Sequence, residues 1–274
     1  VGGVRMMGVS DLIIRNNEIE NILQDNSQLE PNLNFIDWGK GVSNLTIEGN
    51  IISSVDTGVI INAQGFVDNI LFVENEEVVS SLKISENIFR SLEDAASLKS
   101  NISSTTANSI FKISNFRNVE FKFNIFDDIS NKAIFVDSGD TLFQSEKFCV
   151  FNNTFVNSSS SFLDISGVSN LEIYNNVFDD SNIIVLKTNA TGNTELINSI
   201  TYSNYNFYSN SSILSWELDF GGSSYEMFPA LSQWQSASRQ DLVNNPDFNS
   251  LLSIPVFIDT ENNDYRLSST TPTS

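Results

Sequence analysis

The stretch Asn170-Leu171-Glu172-Ile173-Tyr174-Asn175-Asn176-Val177-Phe178 holds two short runs on either side of a pair of asparagines. Apolar and polar residues alternate in the first run, and a period of two is typical of β-strands with one face on a core. Paired asparagines are a turn signal. The stretch therefore predicts a strand, a turn and a second strand.

The same pattern, apolar-x-apolar-x-x-Asn-x-apolar, recurs along the chain. Its asparagine falls at Asn17, Asn50, Asn87, Asn124, Asn153 and Asn176. A seventh copy has Tyr205 at the expected position, between Asn204 and Asn206. Spacings of 23 to 37 residues are too variable for a helical solenoid, but they suit coils whose turns accept insertions. Because no two-residue Asn-Gly hairpin joins the copies, we expect the coils to stack in parallel.

A further strand motif, two apolar residues followed by a mostly polar one, aligns in every copy. The third position is occupied by Asp37, Asn62, Lys112, Asp137, Asp164, Lys187 and Ser215. With this strand, each coil is predicted to hold about three strands. We expect the seven residues to form one polar column on the outside of a sheet, with neighbours about 5 Å apart.

These repeats resemble the right-handed parallel β-helix proteins of the pectate-lyase-like superfamily, over roughly residues 9–274. The stretch from Asn118 to Phe126 is similar to the family's strand-turn-strand unit. The resemblance implies an all-β fold: a single-stranded right-handed parallel β-helix of about seven coils over residues 1–216. It also implies that residues 217–274 form a C-terminal cap of the same domain, covering the open edge of the last coil. The six repeat asparagines would then face inward and stack as a structural ladder.

Composition narrows the function. The chain has 274 residues, 14 Lys and Arg against 34 Asp and Glu, and a formal net charge of −20. Such a charge repels nucleic acid, and no apolar run is long enough for membrane insertion. The chain contains no histidine, which excludes His-dependent hydrolases, including a polygalacturonase-like enzyme. Cys149 is the only cysteine, so an internal disulfide is excluded.

The polar column is the first candidate site, because the resemblance places it on the sheet that carries the substrate groove. Asp137 and Asp164 are predicted to hold substrate or to bind Ca²⁺ as a carboxylate pair. Lys112 and Lys187 flank them and are the candidate catalytic bases of a lyase acting on uronic acids. The alternative is that the lysines and aspartates form cross-coil charge pairs that keep an exposed sheet soluble. Both interpretations remain open at this stage.

Another sheet carries a second candidate site. Phe151 and Tyr174, with Cys149 beside them, are predicted to form an aromatic platform on which a sugar ring can stack. On the same face, Arg15 with Glu48 and Lys83 with Glu120 are predicted as structural ion pairs. The turns Asp127-Asp128 and Asp179-Asp180 supply oxygen atoms that suit either Ca²⁺ or ordinary turn geometry.

The function that we expect is binding of a polysaccharide, uronic or neutral, by an extracellular or cell-surface protein. A Ca²⁺-dependent polysaccharide lyase is one alternative, and Ca²⁺ is the only cofactor considered. The other alternative is a structural module of a larger adhesin, with further domains of a surface protein as partners.

Overall fold

A computed structural model describes residues 4–6, 11–22, 34–38, 44–55, 59–64, 81–92, 109–114, 116–129, 132–136, 147–158, 162–166, 168, 170–179, 183–187, 200–209, 215–219, 225–236, 246–262 and 264–271. The strands in chain order are β1 (Val4–Met6), β2 (Leu12–Arg15), β3 (Glu18–Ile22), β4 (Asn34–Trp38), β5 (Asn44–Glu48), β6 (Ile51–Val55), β7 (Val59–Gln64), β8 (Ser81–Ser85), β9 (Ile88–Leu92), β10 (Ser109–Ser114), β11 (Asn118–Lys122), β12 (Ile125–Ile129), β13 (Lys132–Val136), β14 (Lys147–Phe151), β15 (Thr154–Ser158), β16 (Leu163–Ser166), β17 (Leu171–Tyr174), β18 (Val177–Phe178), β19 (Ile183–Lys187), β20 (Ile200–Asn204), β21 (Phe207–Tyr208), β22 (Ser215–Asp219), β23 (Tyr225–Phe228), β24 (Leu251–Leu252), β25 (Phe257–Asp259) and β26 (Asp264–Leu267). A short helix, α1 (Leu231–Gln235), lies between β23 and β24, and a 3-10 turn, Thr260–Asn262, follows β25.

Every third strand joins the same sheet, so three long sheets run side by side. Sheet A has the order β1-β4-β7-β10-β13-β16-β19-β22-β23, sheet B β2-β5-β8-β11-β14-β17-β20, and sheet C β3-β6-β9-β12-β15-β18-β21-β24. All neighbours pair in parallel except β22 with β23. This all-β arrangement of parallel sheets is consistent with the predicted solenoid, in which each coil contributes one strand to each sheet.

The core is built from the inward positions of the alternating strands. In sheet B, one inward column runs through Ile47, Ile84 and Phe121, all of which are buried. Sheet C contributes a stack of five parallel rings, with centroids 4.7 to 5.3 Å apart: Phe89, Phe126, Phe155, Phe178 and Tyr208. Each fully buried ring stabilises the fold by roughly 1.5–3 kcal/mol, and stacking adds to this.

The predicted asparagine ladder is present where sheet B turns into sheet C. Each asparagine donates from Nδ2 to Oδ1 of the asparagine one coil further on, at 2.9 to 3.1 Å. The backbone N–H of the same residue donates to that Oδ1 at 2.9 to 3.1 Å. From Asn50 onward, Nδ2 also donates to a carbonyl of the preceding coil, at 2.8 to 3.0 Å. The ladder thus pairs polar groups that would otherwise be buried without partners.

The seventh asparagine of the ladder is Asn206. The prediction that Tyr205 occupies this position is wrong. Asn206 accepts the hydrogen bonds of Asn176, whereas the Tyr205 side chain is half exposed. The one-residue offset arises from a β-bulge in the pairing of β17 with β20, where Leu171 pairs with Ile200 but Glu172 pairs with Tyr202. A bulge adds one residue to one strand of a pair and so shifts the register of everything that follows by one residue.

The residue before each ladder asparagine has a left-handed backbone. Its φ is between +54° and +64° at each of the seven positions: Asn16, Gly49, Glu86, Phe123, Asn152, Asn175 and Tyr205. We call this line of residues the corner column, because it follows the bend between sheets B and C. Glycine and asparagine adopt this conformation at little cost, but Glu86, Phe123 and Tyr205 are strained.

The C-terminal residues extend the sheets and contact them. Strand β24 pairs with β21 and so extends sheet C by one strand, and β25 and β26 form an antiparallel hairpin. Helix α1 buries Leu231 and Trp234, and the Trp234 ring lies 5.5 Å from that of Phe228. Within the described ranges, no helix is long and apolar enough to span a membrane.

Candidate functional site

A row of aromatic side chains follows the outer face of sheet B. Phe151 and Tyr174 are neighbours in adjacent strands, and their rings stack at 5.0 Å with an interplanar angle of 9°. Tyr202 packs edge-on against Tyr174 at 5.5 Å, and Phe123 packs against Phe151 at 6.4 Å. We call Phe123, Phe151, Tyr174 and Tyr202 the aromatic row. It contains the platform predicted from Phe151 and Tyr174, extended by one ring at each end.

The aromatic row is open to solvent. Phe123 is 51% exposed and Tyr202 is 38% exposed, while Phe151 and Tyr174 are partly buried. Burial raises the pKa of the Tyr174 hydroxyl, which therefore stays protonated and able to donate at neutral pH. A flat face of rings with a hydroxyl donor is the kind of surface on which sugar rings stack.

Charged groups border the row. A cleft of about 200 Å³ lies beside Phe151 and Tyr174 and is also lined by Lys83, Glu120 and Cys149. Glu120 forms an ion pair with Lys122 at 2.8 Å. Register places Lys83 next to Glu120, but the ion pair described for Glu120 is the one with Lys122, so the predicted Lys83–Glu120 ion pair stays a prediction.

Cys149 lies in the same column as Glu120 and Glu172 and is buried. Its Sγ donates to Glu172 Oε2 at 3.3 Å, and Lys147 Nζ lies 3.6 Å from Glu172 Oε1. Burial, followed by the hydrogen bond and negative charge of Glu172, raises the pKa of Cys149 to about 12. The thiol is therefore protonated at neutral pH and serves as a buried donor.

The predicted ion pair of Arg15 with Glu48 is confirmed on the same face. Arg15 Nη2 lies 2.9 Å from Glu48 Oε2, and Arg15 Nε donates to that oxygen at 3.1 Å. Both side chains are substantially exposed, so the pair contributes little to stability.

The polar column predicted for sheet A differs from the observed register. Asp37, Asn62 and Lys112 are in register, as predicted. Beyond Lys112 the column continues through Phe135, Asp164, Val185 and Glu217. Lys187 pairs with Ser166 and Asp219 instead, and Ser215 pairs with Ile183. The predicted alignment is therefore wrong by two residues in each of β13, β19 and β22. A shift of two residues leaves the alternation of inward and outward residues unchanged.

Asp164 forms an ion pair with Lys132, a residue that the sequence analysis does not name as a candidate. Its side chain is 1% exposed, although its register position faces outward, and its Oδ2 accepts a hydrogen bond from Lys132 Nζ. Lys132 also lies 5.0 Å from the centre of the Phe135 ring. Asp137 and the side chains of Lys112 and Lys187 lie outside the described residues. The carboxylate pair and the two lysine bases therefore stay predictions.

Asp127 is enclosed by other side chains. Its Oδ2 accepts from Arg90 Nε at 3.1 Å and from the hydroxyl of Tyr265, and its Oδ1 accepts from Asn157 at 2.9 Å. Its partner from the predicted turn, Asp128, is exposed. Asp179 is described but Asp180 is not. Among the residues that the structure describes, no group of three potential metal-ligating side chains is found, and calcium binding stays a prediction.

A groove that the sequence analysis missed lies between the corner column and the C-terminal hairpin. Tyr265, on β26, joins the Arg90–Asp127 ion pair and so fixes the hairpin to sheet C; burial raises the pKa of its hydroxyl and keeps it protonated. The groove has a volume of about 630 Å³ and is lined by the corner residues and the β26 residues Phe123, Asn152, Asn175, Asp264, Arg266 and Leu267, among others. A sequence signal that could have identified this groove is the residue before each ladder asparagine, which recurs at the same offset in the repeats.

Known proteins add no assignment. Comparison with protein-family models, curated proteins and solved structures gives no significant match.

Proposed function

We propose that this protein binds polysaccharide along the outer face of sheet B. The observation that carries this proposal is the aromatic row, with Phe151 and Tyr174 stacked in parallel and solvent-exposed rings at both ends. Sugar rings present C–H faces that pack on aromatic rings, while their hydroxyls bond to polar groups at the edge. Lys83 and Glu120 lie beside the row and can supply such bonds.

We further propose that the fold is a right-handed, single-stranded parallel β-helix of the pectate-lyase-like superfamily, and that the protein acts outside the cell or at its surface. Support comes from the sequential distribution of strands over three parallel sheets and from the asparagine ladder. The repeating coil suits a repeating ligand, because it spaces equivalent side chains at about 4.8 Å along one axis.

Binding is favoured over cleavage for a physical reason. The cysteine beside the row is protonated, and each neighbouring glutamate is near a lysine. A protonated thiol is a poor nucleophile, so the groups beside the row suit hydrogen bonding to sugar hydroxyls better than covalent catalysis.

Affinity electrophoresis through neutral and uronic polysaccharides, with a glycan array, tests the proposal. We expect retardation by at least one polymer, and at least about tenfold weaker binding when Phe151→Ala and Tyr174→Ala are combined, which is about 1.4 kcal/mol. Ile13→Ser is the matched control, because Ile13 is an exposed apolar residue on the same sheet, three coils from the row. Failure of the wild-type protein to bind any polymer would reject the proposal.

A further inference from the structure

The groove beneath the C-terminal hairpin has the composition of a binding site. Its floor is formed by successive residues of the corner column, Phe123, Asn152 and Asn175, and its wall by Asp264 to Leu267. Asn175 is exposed and Asn152 is partly exposed. Each amide offers two donors and one acceptor oxygen, which matches the mixed donor and acceptor character of sugar hydroxyls. A volume of about 630 Å³ lies within the range of ligand pockets.

The corner column places aromatic rings on both sides of these amides. Phe123 precedes Asn152 by one coil, and Tyr205 follows Asn175 by one coil. The rings are 51% and 50% exposed, and three steps of about 4.8 Å separate their backbone positions by about 14 Å. Phe123, Asn152, Asn175 and Tyr205 thus place a ring, two amides and a second ring one after another along the corner column.

Both rings project from strained backbone positions. Phe123 and Tyr205 both have φ of +56°. Of the other five residues in the corner column, four are glycine or asparagine, which tolerate this conformation, and the fifth is the exposed Glu86. Backbone strain at an exposed position, where the core gains nothing from the ring, is typical of binding sites.

The charge of the groove is balanced. Arg266 binds Asp264 through two side-chain hydrogen bonds of 2.8 and 2.6 Å, which lowers the pKa of Asp264 and keeps the carboxylate ionised. The wall therefore adds no net charge to a chain whose formal net charge is −20. Among the described residues that line the groove there is no lysine, and the one cation, Arg266, is already paired with Asp264. The negative field of the whole protein opposes polyuronates further.

From this geometry we infer that the groove binds an uncharged, hydroxyl-rich glycan chain lying along the corner column between Phe123 and Tyr205. The inference rests on the proposed function, which it deepens by naming the ligand class and a second contact surface around the corner from sheet B. Phe123 belongs to both surfaces, so one chain can contact the aromatic row and the groove.

The test compares variants of each surface on two classes of polymer. Asn152→Gly with Asn175→Gly removes both amides from the groove without adding strain, since glycine favours this backbone. Asn16→Gly is the matched control, because it makes the same change in the corner column three coils from Phe123. Affinity is measured by titration calorimetry with a soluble neutral glucan, a neutral mannan and a polyuronate at low salt.

We expect a neutral polymer to bind at least about tenfold more tightly than the polyuronate, and the double glycine variant to weaken that binding about tenfold. Wild-type affinity in the double variant, with loss on mutating Phe151 and Tyr174, would overturn the inference and leave the proposed function intact. Equal or tighter binding of the polyuronate would overturn the assigned ligand class. Absence of binding to every polymer would instead reject the proposed function.

Phe123→Gly separates a binding role from a structural one. Because glycine relieves the left-handed strain, we expect the midpoint of urea unfolding to stay the same or rise while neutral-glycan affinity falls about tenfold. A variant that unfolds more easily and binds normally would show that the ring is structural, and would contradict the inference.

Discussion

Asp247 Oδ1 accepts a 2.7 Å hydrogen bond from Asn206 Nδ2, so the asparagine ladder ends on a carboxylate. The other oxygen, Oδ2, accepts from Ser203 and Trp234 at 2.7 Å each and from the hydroxyl of Tyr208 at 3.1 Å. Tyr208 is the last ring of the stack in sheet C. Asp247, which is fully buried, therefore ends both the asparagine ladder and the stack of rings in sheet C. It can accept all of these hydrogen bonds because an ionised carboxylate has only acceptor atoms.

Replacing Asp247 with asparagine should destabilise the protein despite the similar shape. The amide would bring two donors into a group of side chains that already donate, leaving at least one pair of donors facing each other. We expect a loss of about 3 kcal/mol in the free energy of unfolding, measured by urea titration. Asp264→Asn is the control at a partly exposed carboxylate and should cost under about 1 kcal/mol. Equal stability of Asp247→Asn and wild type would contradict this account of the ladder's end.

The interior of the ladder should be more sensitive than its first rung. Asn124→Ala removes the acceptor of Asn87 and the donor to Asn153, and leaves several buried groups unpaired. We expect a loss of about 4 kcal/mol. Asn17→Ala makes the same change at an exposed rung, where water replaces the lost bonds, and should cost about 1 kcal/mol. Similar losses in the two variants, compared by urea unfolding, would show that burial of the ladder does not set its energy.

The features that could be predicted from the sequence are those encoded within one coil. Alternation of apolar and polar residues fixes which side chains face inward, and it recurs in each coil with the asparagine at a constant offset. A buried amide in every coil has few ways to be satisfied other than stacking. The parallel sheets and the ladder from Asn17 to Asn176 follow from these local signals.

The relative alignment of coils could not be predicted in the same way. In sheet A, Phe135 rather than Asp137 follows Lys112, because a shift of two residues preserves the inward face and produces no hydrophobic mismatch. At Asn206, a bulge changed the offset by one residue. The groove depends on a contact between Tyr265 and Asp127, 138 residues apart, for which neither residue carries a local signal.

Gly49 is the corner residue at which a side chain is excluded. A Cβ at this position would lie 2.5 Å from Asn16 Oδ1, and its φ of +64° disfavours residues with a Cβ. We expect Gly49→Ala to lower the free energy of unfolding by about 2 kcal/mol. Combining it with Asn16→Gly removes the contact without straining residue 16 and leaves the backbone strain at residue 49, so the double variant, compared with Asn16→Gly alone, separates the two costs. A Gly49→Ala variant as stable as wild type would show that the corner tolerates a Cβ.

Cys149 should react slowly with thiol reagents. Its pKa is raised from an ordinary value of 9.0 to about 12, so at pH 8 the thiolate fraction falls from about one tenth to about 10⁻⁴. We expect iodoacetamide to label the folded protein about 10³-fold more slowly than the urea-unfolded chain. Glu172→Gln removes a negative charge and should accelerate labelling of the folded state. Rapid labelling of the wild type would contradict the protonated thiol.

The same shift gives stability a pH dependence of known sign. Between pH 9.0 and about 12, the unfolded chain has lost the thiol proton while the folded chain retains it. The folded state binds more protons, so this contribution is complete below pH 9 and declines as the pH rises toward 12. In Cys149→Ala this part of the decline should disappear. Denaturant titrations of both proteins at pH 8 and pH 10.5 measure the difference, and parallel pH profiles would contradict it.

Tyr265 should control the C-terminal hairpin and, with it, the wall of the groove. Its hydroxyl donates to Asp127, and its ring packs edge-on against Phe257 at 5.5 Å. Tyr265→Ala loses both contacts, so we expect amide exchange in β25 and β26 to accelerate at least about tenfold while β12 keeps its protection. Tyr265→Phe keeps the ring and should give a smaller increase, since Arg90 and Asn157 still bond to Asp127. Hydrogen exchange read by mass spectrometry distinguishes the two variants. An unchanged hairpin in Tyr265→Ala would show that it is anchored elsewhere.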